Sequence, residues 1–369
     1  MSHPNRHRVV VCGTGFGRVY LDGLGAPQSP VELAGILARG SERSKACARR
    51  WGVPLYEKPE DLPDDISLAC VVVSSAINGG PGAQLAQSLM RHGIHVLQEH
   101  PLHADELAGC LRVAKASGVH YRVNTHHLHV EPVRRFITAA QELLRRQPAL
   151  FIDAACGFQV LATVLDILGA ILGRLRPWGF APPAATSAEI RRLTTLDLPF
   201  RSLDGVLGGV PTVLRVQNQM DPREPDNHAH LWHRITLGTE SGQLTLVSST
   251  GPVLWTVRPH LPRSGMQHTS FGDLSGDHLG IAGTVPLGPA VTPSWAETLS
   301  RLWPEAVRTA VARMTDEMAR GEDPLTSGQY HLSLCQLSHE ITSLLGRVEL
   351  VTRATPQILA APDLFEVVG

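Results

Sequence analysis

The chain has 369 residues, with 33 Lys and Arg against 34 Asp and Glu, and 43% of its residues are hydrophobic. That length predicts two domains, because one core rarely grows past about 250 residues, and the apolar share excludes a largely disordered chain. A formal net charge of −1 excludes a basic, nucleic-acid-binding face, and no apolar run reaches the ~18 residues of a membrane span.

The longest apolar run, residues 160–172, is broken by Asp166. No secretory pattern precedes the first apolar run, so the cytoplasm is the expected compartment. The six cysteines form no C-x-x-C pair and read as small buried hydrophobes rather than zinc or redox ligands. The only lysines are Lys45, Lys58 and Lys115, whereas histidine occurs 18 times.

The first 125 residues alternate strand and helix signals. Residues 9–12 are a short apolar run that ends in Gly13-Thr14-Gly15-Phe16-Gly17, and 18–24 follow with helical spacing. Residues 31–37 form the next apolar run, and 41–51 read as a helix with Ser41 as its N-cap. A buried strand is predicted at 68–73, a helix at 83–92 closed by Gly93, a strand at 94–98, a helix at 104–117 and a strand at 118–124. Strands joined by crossover helices imply parallel pairing and a doubly wound sheet.

The pattern then changes. Helices are predicted at 130–146 and 160–175, with a strand at 149–156 between them. Strands follow at 212–219, 230–237, 243–248 and 253–257, with a hairpin turn at 238–242. Residues 264–293 are rich in Gly, Pro and Ser and read as a long loop. Residues 294–320 and 327–345 are helical. The expected architecture is α/β: an N-terminal doubly wound parallel sheet (residues 1–127) and a C-terminal α+β domain (128–369) built on a large, mostly antiparallel sheet.

The glycine run sits where a dinucleotide pyrophosphate is held. Gly13, Thr14, Gly15, Phe16 and Gly17 present backbone N–H groups at the start of a helix, whose N-terminus favours an anion. The third glycine of G-x-G-x-x-G would fall at Arg18, and Gly17 stands one residue early. The second strand ends without the Asp or Glu that grips the ribose of NAD. In its place come Arg39, Ser41, Arg43 and Ser44, groups suited to a 2′-phosphate. Ser74 and Ser75, with the Gly79-Gly80 turn, follow the next strand and are expected beside the nicotinamide ribose. The expected cofactor is NADPH.

The later strand ends Gln98-Glu99-His100-Pro101. The layout resembles the glucose–fructose oxidoreductase/inositol dehydrogenase (Gfo/Idh/MocA) class of two-domain enzymes, whose members commonly carry Glu-Lys-Pro here; His100 replaces the lysine. Within that class the sequence is similar to thiazolinyl imine reductases of siderophore biosynthesis, the branch serving yersiniabactin and pyochelin assembly. The similarity spans most of the chain. It is carried by Phe16-Gly17 with Tyr20-Leu21, residues 38–44 and 98–103, and Asn124-Thr125. Further on, it includes Asp221-Pro222, Pro225-Asp226, His228, His233-Arg234, residues 251–255 and Ser294-Trp295.

The resemblance implies reduction by NADPH of a thiazoline C=N, in a substrate tethered as a thioester to a carrier domain of a nonribosomal peptide synthetase, by a homodimer. Imine reduction needs a hydride near the carbon and a proton for the nitrogen. Histidine, with a pKa near ~6.5, suits the second task better than lysine. His100 is the first candidate acid. His127, aligned with a tyrosine of those reductases, is the second, and Glu99 is placed at the cofactor. A metal site from His126, His127 and His129 is not expected, because neighbours on an extended chain face opposite ways. His233 and Arg234 face the substrate or form cross-strand pairs. A sugar or polyol dehydrogenase and a non-catalytic NADP(H) sensor are the competing readings.

Overall fold

The computed structural model describes residues 6–75, 79–224, 229–260 and 277–365. Pro225, Asp226, His228 and residues 264–276 of the expected loop lie outside them.

The N-terminal half builds a parallel sheet from β1 (Arg8–Cys12), β2 (Glu32–Leu37), β3 (Leu55–Tyr56), β4 (Leu68–Val71), β5 (His95–Glu99) and β6 (Tyr121–Asn124), in the spatial order β3-β2-β1-β4-β5-β6. Val9, Val10, Val11 and Cys12 are all fully buried, as expected of a strand covered by helices on both faces. The covering helices are α1 (Gly17–Leu24), α2 (Glu42–Trp51), α3 (Gly82–Arg91) and α4 (Ala104–Ser117). Ser41 caps α2 as predicted, its hydroxyl accepting from the Ser44 amide. The strand order reverses between β1 and β4, which opens a crevice at the carboxyl ends of the strands. The strand predicted at 68–73 stops at Val71, and the one predicted from 118 begins at Tyr121.

After β6 come α5 (Glu131–Arg146), β7 (Phe151–Gly157), α6 (Leu161–Leu172), β8 (Trp178–Phe180) and the single turn α7 (Ala188–Arg191). Strands β9 (Phe200–Leu207), β10 (Val210–Gln217), β11 (Gln219–Met220), β12 (His233–Thr239), β13 (Gly242–Leu246), β14 (Val253–Val257) and β15 (Thr284–Pro286) follow. Eight of these strands form one sheet, β15-β14-β13-β12-β7-β10-β9-β8. Within it, among the described residues, only β7 and β10 pair in parallel. Its inner face (Ile152, Ala154, Leu203, Leu214, Ile235, Leu244) packs on Phe136 of α5 and on Val164 and Leu168 of α6.

Three features depart from the sequence reading. Strand β9 was not expected, although Gly208 and Gly209, both at positive φ, form the two-residue hairpin that joins it to β10. Part of the expected 264–293 loop is β15, which pairs with β14. The helix predicted at 160–175 ends at Leu172, where Gly173 turns left-handed.

The C-terminal helices do not stay on the second sheet. A near-continuous helix runs through α8 (Trp295–Glu297), a π-turn at Thr298–Leu302 and α9 (Trp303–Ala319), and α10 spans Pro324–Leu345. Val307, Ala310, Val311 and Met314 of α9 are buried in one cluster with Val9, Val11, Tyr20 and Leu21 of the cofactor domain. Arg122 of β6 pairs with Glu317 of α9.

Candidate active site

The crevice begins at the glycine turn. Gly13 has φ +93°, and a Cβ there would meet the Val72 carbonyl oxygen at 2.7 Å; only glycine fits this left-handed, close-packed position. Gly15 faces open space, with nothing within 4 Å of the point a Cβ would occupy, so a pyrophosphate has room to approach the backbone. Helix α1 starts at Gly17 with no side-chain cap from Phe16; the Arg18 and Val19 amides bond the Gly15 and Phe16 carbonyls, so the glycine turn before them is what would meet a ligand. Gly17 is buried against Val11 and gives the close helix–strand packing despite its early position. Thr14 is buried. Arg18, unassigned by sequence reasoning, is exposed and its Nε donates to the Gly15 carbonyl at 3.2 Å. These residues fit a dinucleotide.

At the end of β2, Arg39, Ser41 and Arg43 are exposed. Ser44 is different: it is fully buried and its hydroxyl donates to the Ser41 carbonyl at 2.7 Å. It secures the helix start rather than facing a phosphate, which corrects its assignment as a cofactor contact. A carboxylate does reach this loop, from the neighbouring strand. The carboxylate of Glu57, which follows β3, occupies the space a Cβ on Gly40 would need. The carboxylate missing from β2 is thus approached from the neighbouring strand.

After β4, Ser74 is exposed, while Ser75 is 2% exposed and its hydroxyl donates to the Pro101 carbonyl. Ser75 therefore ties this loop to the segment after β5 instead of presenting its hydroxyl to a ribose.

His100 leaves the end of β5. Its Nδ1 lies 2.9 Å from Glu99 Oε1. The other carboxylate oxygen of Glu99, Oε2, accepts from the Tyr20 hydroxyl and, at 3.0 Å, from Asn124 Nδ2; Asn124 also donates to Tyr20 Oη at 2.6 Å. With Glu99 fixed from two sides, Nδ1–H is the tautomer it selects, and Nε2 is left for a substrate. Burial works against the His100 imidazolium, but the Glu99 hydrogen bond and charge, helped by Asp166, outweigh it and raise the pKa above the usual value. Such a pair can serve as a carboxylate-supported acid.

His127 is a different kind of residue. It is 8% exposed, and burial together with the His100 charge pushes its pKa down to about 3. A neutral imidazole is a feeble acid near neutrality, so His127 is the less suited of the two candidates. His127 lies among His126 and His233, with ring centroids 5.6 and 4.6 Å away. Burial holds both of those neighbours well below the usual histidine value. Trp232 and Trp303 stack on one another at 25° and wall this group, and Trp295 meets Trp232 edge-on at 5.1 Å. His233 joins the site, while Arg234 is exposed on the opposite face of β12, as alternation requires. Among the described residues no three His, Cys, Asp or Glu side chains are placed to hold a metal. The three lysines are exposed, and none immediately follows β5 or β6, the strand ends that carry His100 and His127.

Asp166, read in sequence only as a break in an apolar run, is 2% exposed on α6. It accepts from Thr125 Oγ1 and, at 2.7 Å, from Tyr330 Oη. A lone carboxylate in a helix otherwise buried all round was the available signal, since an ion is buried only where partners hold it.

Residues 7–125 match the oxidoreductase family with an NAD-binding Rossmann fold, GFO_IDH_MocA. The chain is thus a two-domain oxidoreductase with a nicotinamide dinucleotide-binding domain. Residues 146–256 match the C-terminal domain of Irp3-like thiazolinyl imine reductases, and the chain belongs to the Irp3-like members of the Gfo/Idh/MocA class.

No curated protein matches it in sequence. Among solved structures, KijD10, a 3-ketoreductase from Actinomadura kijaniata in complex with NADP, is similar with a TM-score of 0.64 at 16% identity, over 94% of this chain and 100% of that one. An oxidoreductase from Agrobacterium radiobacter in complex with NAD+, L-tartaric acid and magnesium gives 0.62 at 14%, over 91% and 95%. UDP-N-acetylglucosamine 3-dehydrogenase GnnA from Acidithiobacillus ferrooxidans gives 0.58 at 14%, over 92% and 98%. At such identities the likeness is one of fold. Among the described residues no helix is long and apolar enough to cross a membrane.

Proposed function

We propose that this chain is an NADPH-dependent reductase of a thiazoline C=N bond, acting on an acyl thioester carried by a nonribosomal peptide synthetase carrier domain. The observation that carries this reading is the Glu99–His100 pair, 2.9 Å apart, at the strand edge that also holds the glycine turn. It is an acid matched to an imine nitrogen, set where sugar-oxidising relatives of the class commonly carry lysine.

The nicotinamide, when bound, supplies the hydride for the imine carbon. The protein does the rest. Gly13 to Gly17 seat the pyrophosphate, and Arg39, Ser41 and Arg43 are the groups for a 2′-phosphate. His100 Nε2 gives a proton to the nitrogen as negative charge develops there, and Glu99 stabilises the imidazolium before transfer. Trp232 and Trp303 keep water from the reacting face, which strengthens the Glu99–His100 interaction. Fast reprotonation of His100 from solvent is open to it, as its side chain is 17% exposed.

The experiment gives purified protein NADPH and a synthetic thiazoline thioester and follows the reduced-nicotinamide absorbance, with mass spectrometry of the product. A thiazolidine two hydrogens heavier is expected. Turnover of a sugar panel with NADP+, and none of the thiazoline, would establish the dehydrogenase reading instead. Binding of NADPH with neither activity would establish the sensor.

A further inference from the structure

Three histidines beside the proton donor have buried nitrogens with no hydrogen-bond partner among the described residues. His126 is 2% exposed, His127 8% and His233 0%. Both ring nitrogens of His126, both of His233 and Nδ1 of His127 are buried and unpartnered in this way. Native interiors pair nearly all such atoms, because an unpaired one retains its full desolvation penalty. Several at one spot mark a place built for a ligand group.

The walls of this spot offer nothing in exchange. Trp303 meets His126 and His127 edge-on at 5.4 and 5.9 Å, Trp232 meets His127 at 5.7 Å, and Phe16 meets His126 at 5.2 Å. The charges that reach the three rings are those of His100, His129 and one another; among the described residues no carboxylate joins them. Phe16 belongs to the glycine turn and His100 is the acid, so the cluster lies between the cofactor seat and the proton donor.

We propose that His126, His127 and His233 form a specificity site for an uncharged hydrogen-bonding substituent of the substrate, a hydroxyl or amide, attached next to the C=N bond. This rests on the reductase reading. A neutral imidazole offers one donor and one acceptor, and a hydroxyl or amide can accept from one ring and donate to another without moving a proton. An alkyl group leaves the nitrogens orphaned. A carboxylate brings a desolvated charge among neutral rings and apolar walls.

The test uses the full chain with NADPH and three synthetic thiazoline thioesters that differ only in the substituent on the C=N carbon: ethyl, hydroxymethyl and carboxyl. The hydroxymethyl probe should exceed the ethyl probe in kcat/KM by at least about tenfold, and the carboxyl probe should be the poorest. In His233→Phe the hydroxymethyl-to-ethyl ratio should shrink to within about twofold, and His127→Phe should repeat this should His233→Phe fold poorly. His233→Gln, which restores a donor and an acceptor, should recover most of the ratio. Nitrogen NMR of histidine-labelled protein with NADPH supplies a reading without turnover: the hydroxymethyl probe should move buried histidine resonances and the ethyl probe should not. Equal efficiency of ethyl and hydroxymethyl probes, equal losses for both in His233→Phe, or a preference for carboxyl overturns the specificity site alone. Failure of all three probes to be reduced and to perturb any histidine overturns the reductase reading with it.

Discussion

Replacing Glu99 by Gln removes the charge that supports His100 while keeping the shape of the side chain. The two side chains are 10% and 17% exposed and their nearest atoms lie 2.9 Å apart. With charge centres about 4 Å apart and an effective dielectric near ~20, their attraction is about 4 kcal/mol. Burial of His100 acts in the opposite sense, and once the carboxylate is gone it acts alone. The Gln carbonyl still accepts from Tyr20 and Asn124, so the fold and NADPH binding should survive.

The raised pKa of His100 keeps the imidazolium present below that pKa, and activity is lost as pH rises through it. Glu99→Gln should move this falling limb about 1–3 pH units lower. On the alkaline side kcat should drop about 10- to 1000-fold, and on the acid side, below both values, the two enzymes should converge. The assay is kcat against pH at saturating NADPH and thiazoline thioester, with NADPH affinity measured alongside. An unchanged pH profile, or a loss equal at every pH, would refute the carboxylate-supported acid.

Arg43→Ala should weaken NADPH by about 1.5–3 kcal/mol through loss of a charge-assisted contact, with NADH little changed, and Glu57→Gln should favour NADPH; titration of cofactor fluorescence reads both, and equal effects on the two cofactors would reject the 2′-phosphate assignment. Because His127 and His129 sit at about 3 when folded against ~6.5 unfolded, the unfolded chain takes up protons first: urea-derived stability should hold above about pH 6.5 and fall progressively toward pH 3, less steeply in His129→Phe. Arg122→Ala leaves the partly buried Glu317 without this partner and should cost up to about 3–5 kcal/mol in the same assay; a change within error would show that α9 does not depend on this pair.

What the sequence disclosed was what local chemistry decides. Buried runs such as Val9 to Cys12, the Ser41 cap and the glycine turn each announce themselves within a few residues. His100 was legible because it stands at a strand end where the class commonly has lysine. Its partnership with Glu99 was only half legible, since Tyr20 comes from a helix 79 residues earlier. Ser44 and Ser75 looked alike as ligand hydroxyls, yet each is turned inward by a backbone carbonyl that no spacing rule reveals. The gathering of His127, His233 and Trp303 depends on contacts across the whole chain, and neighbouring positions gave no sign that His127 would be neutral.

The packing of α9 on the cofactor domain bears on how the protein is made. Val307, Ala310, Val311 and Met314 complete a core whose other residues begin at Val9. On the ribosome the first domain emerges long before them, at a pace of about 5–20 residues per second. For that interval the apolar face of α1 is bare, and Tyr20, which steadies Glu99, belongs to it. The nucleotide-binding half therefore reaches its finished form only once α9 has been made. An N-terminal fragment cut at the visible end of the parallel sheet would be an incomplete folding unit, sticky where α9 belongs and dependent on chaperones.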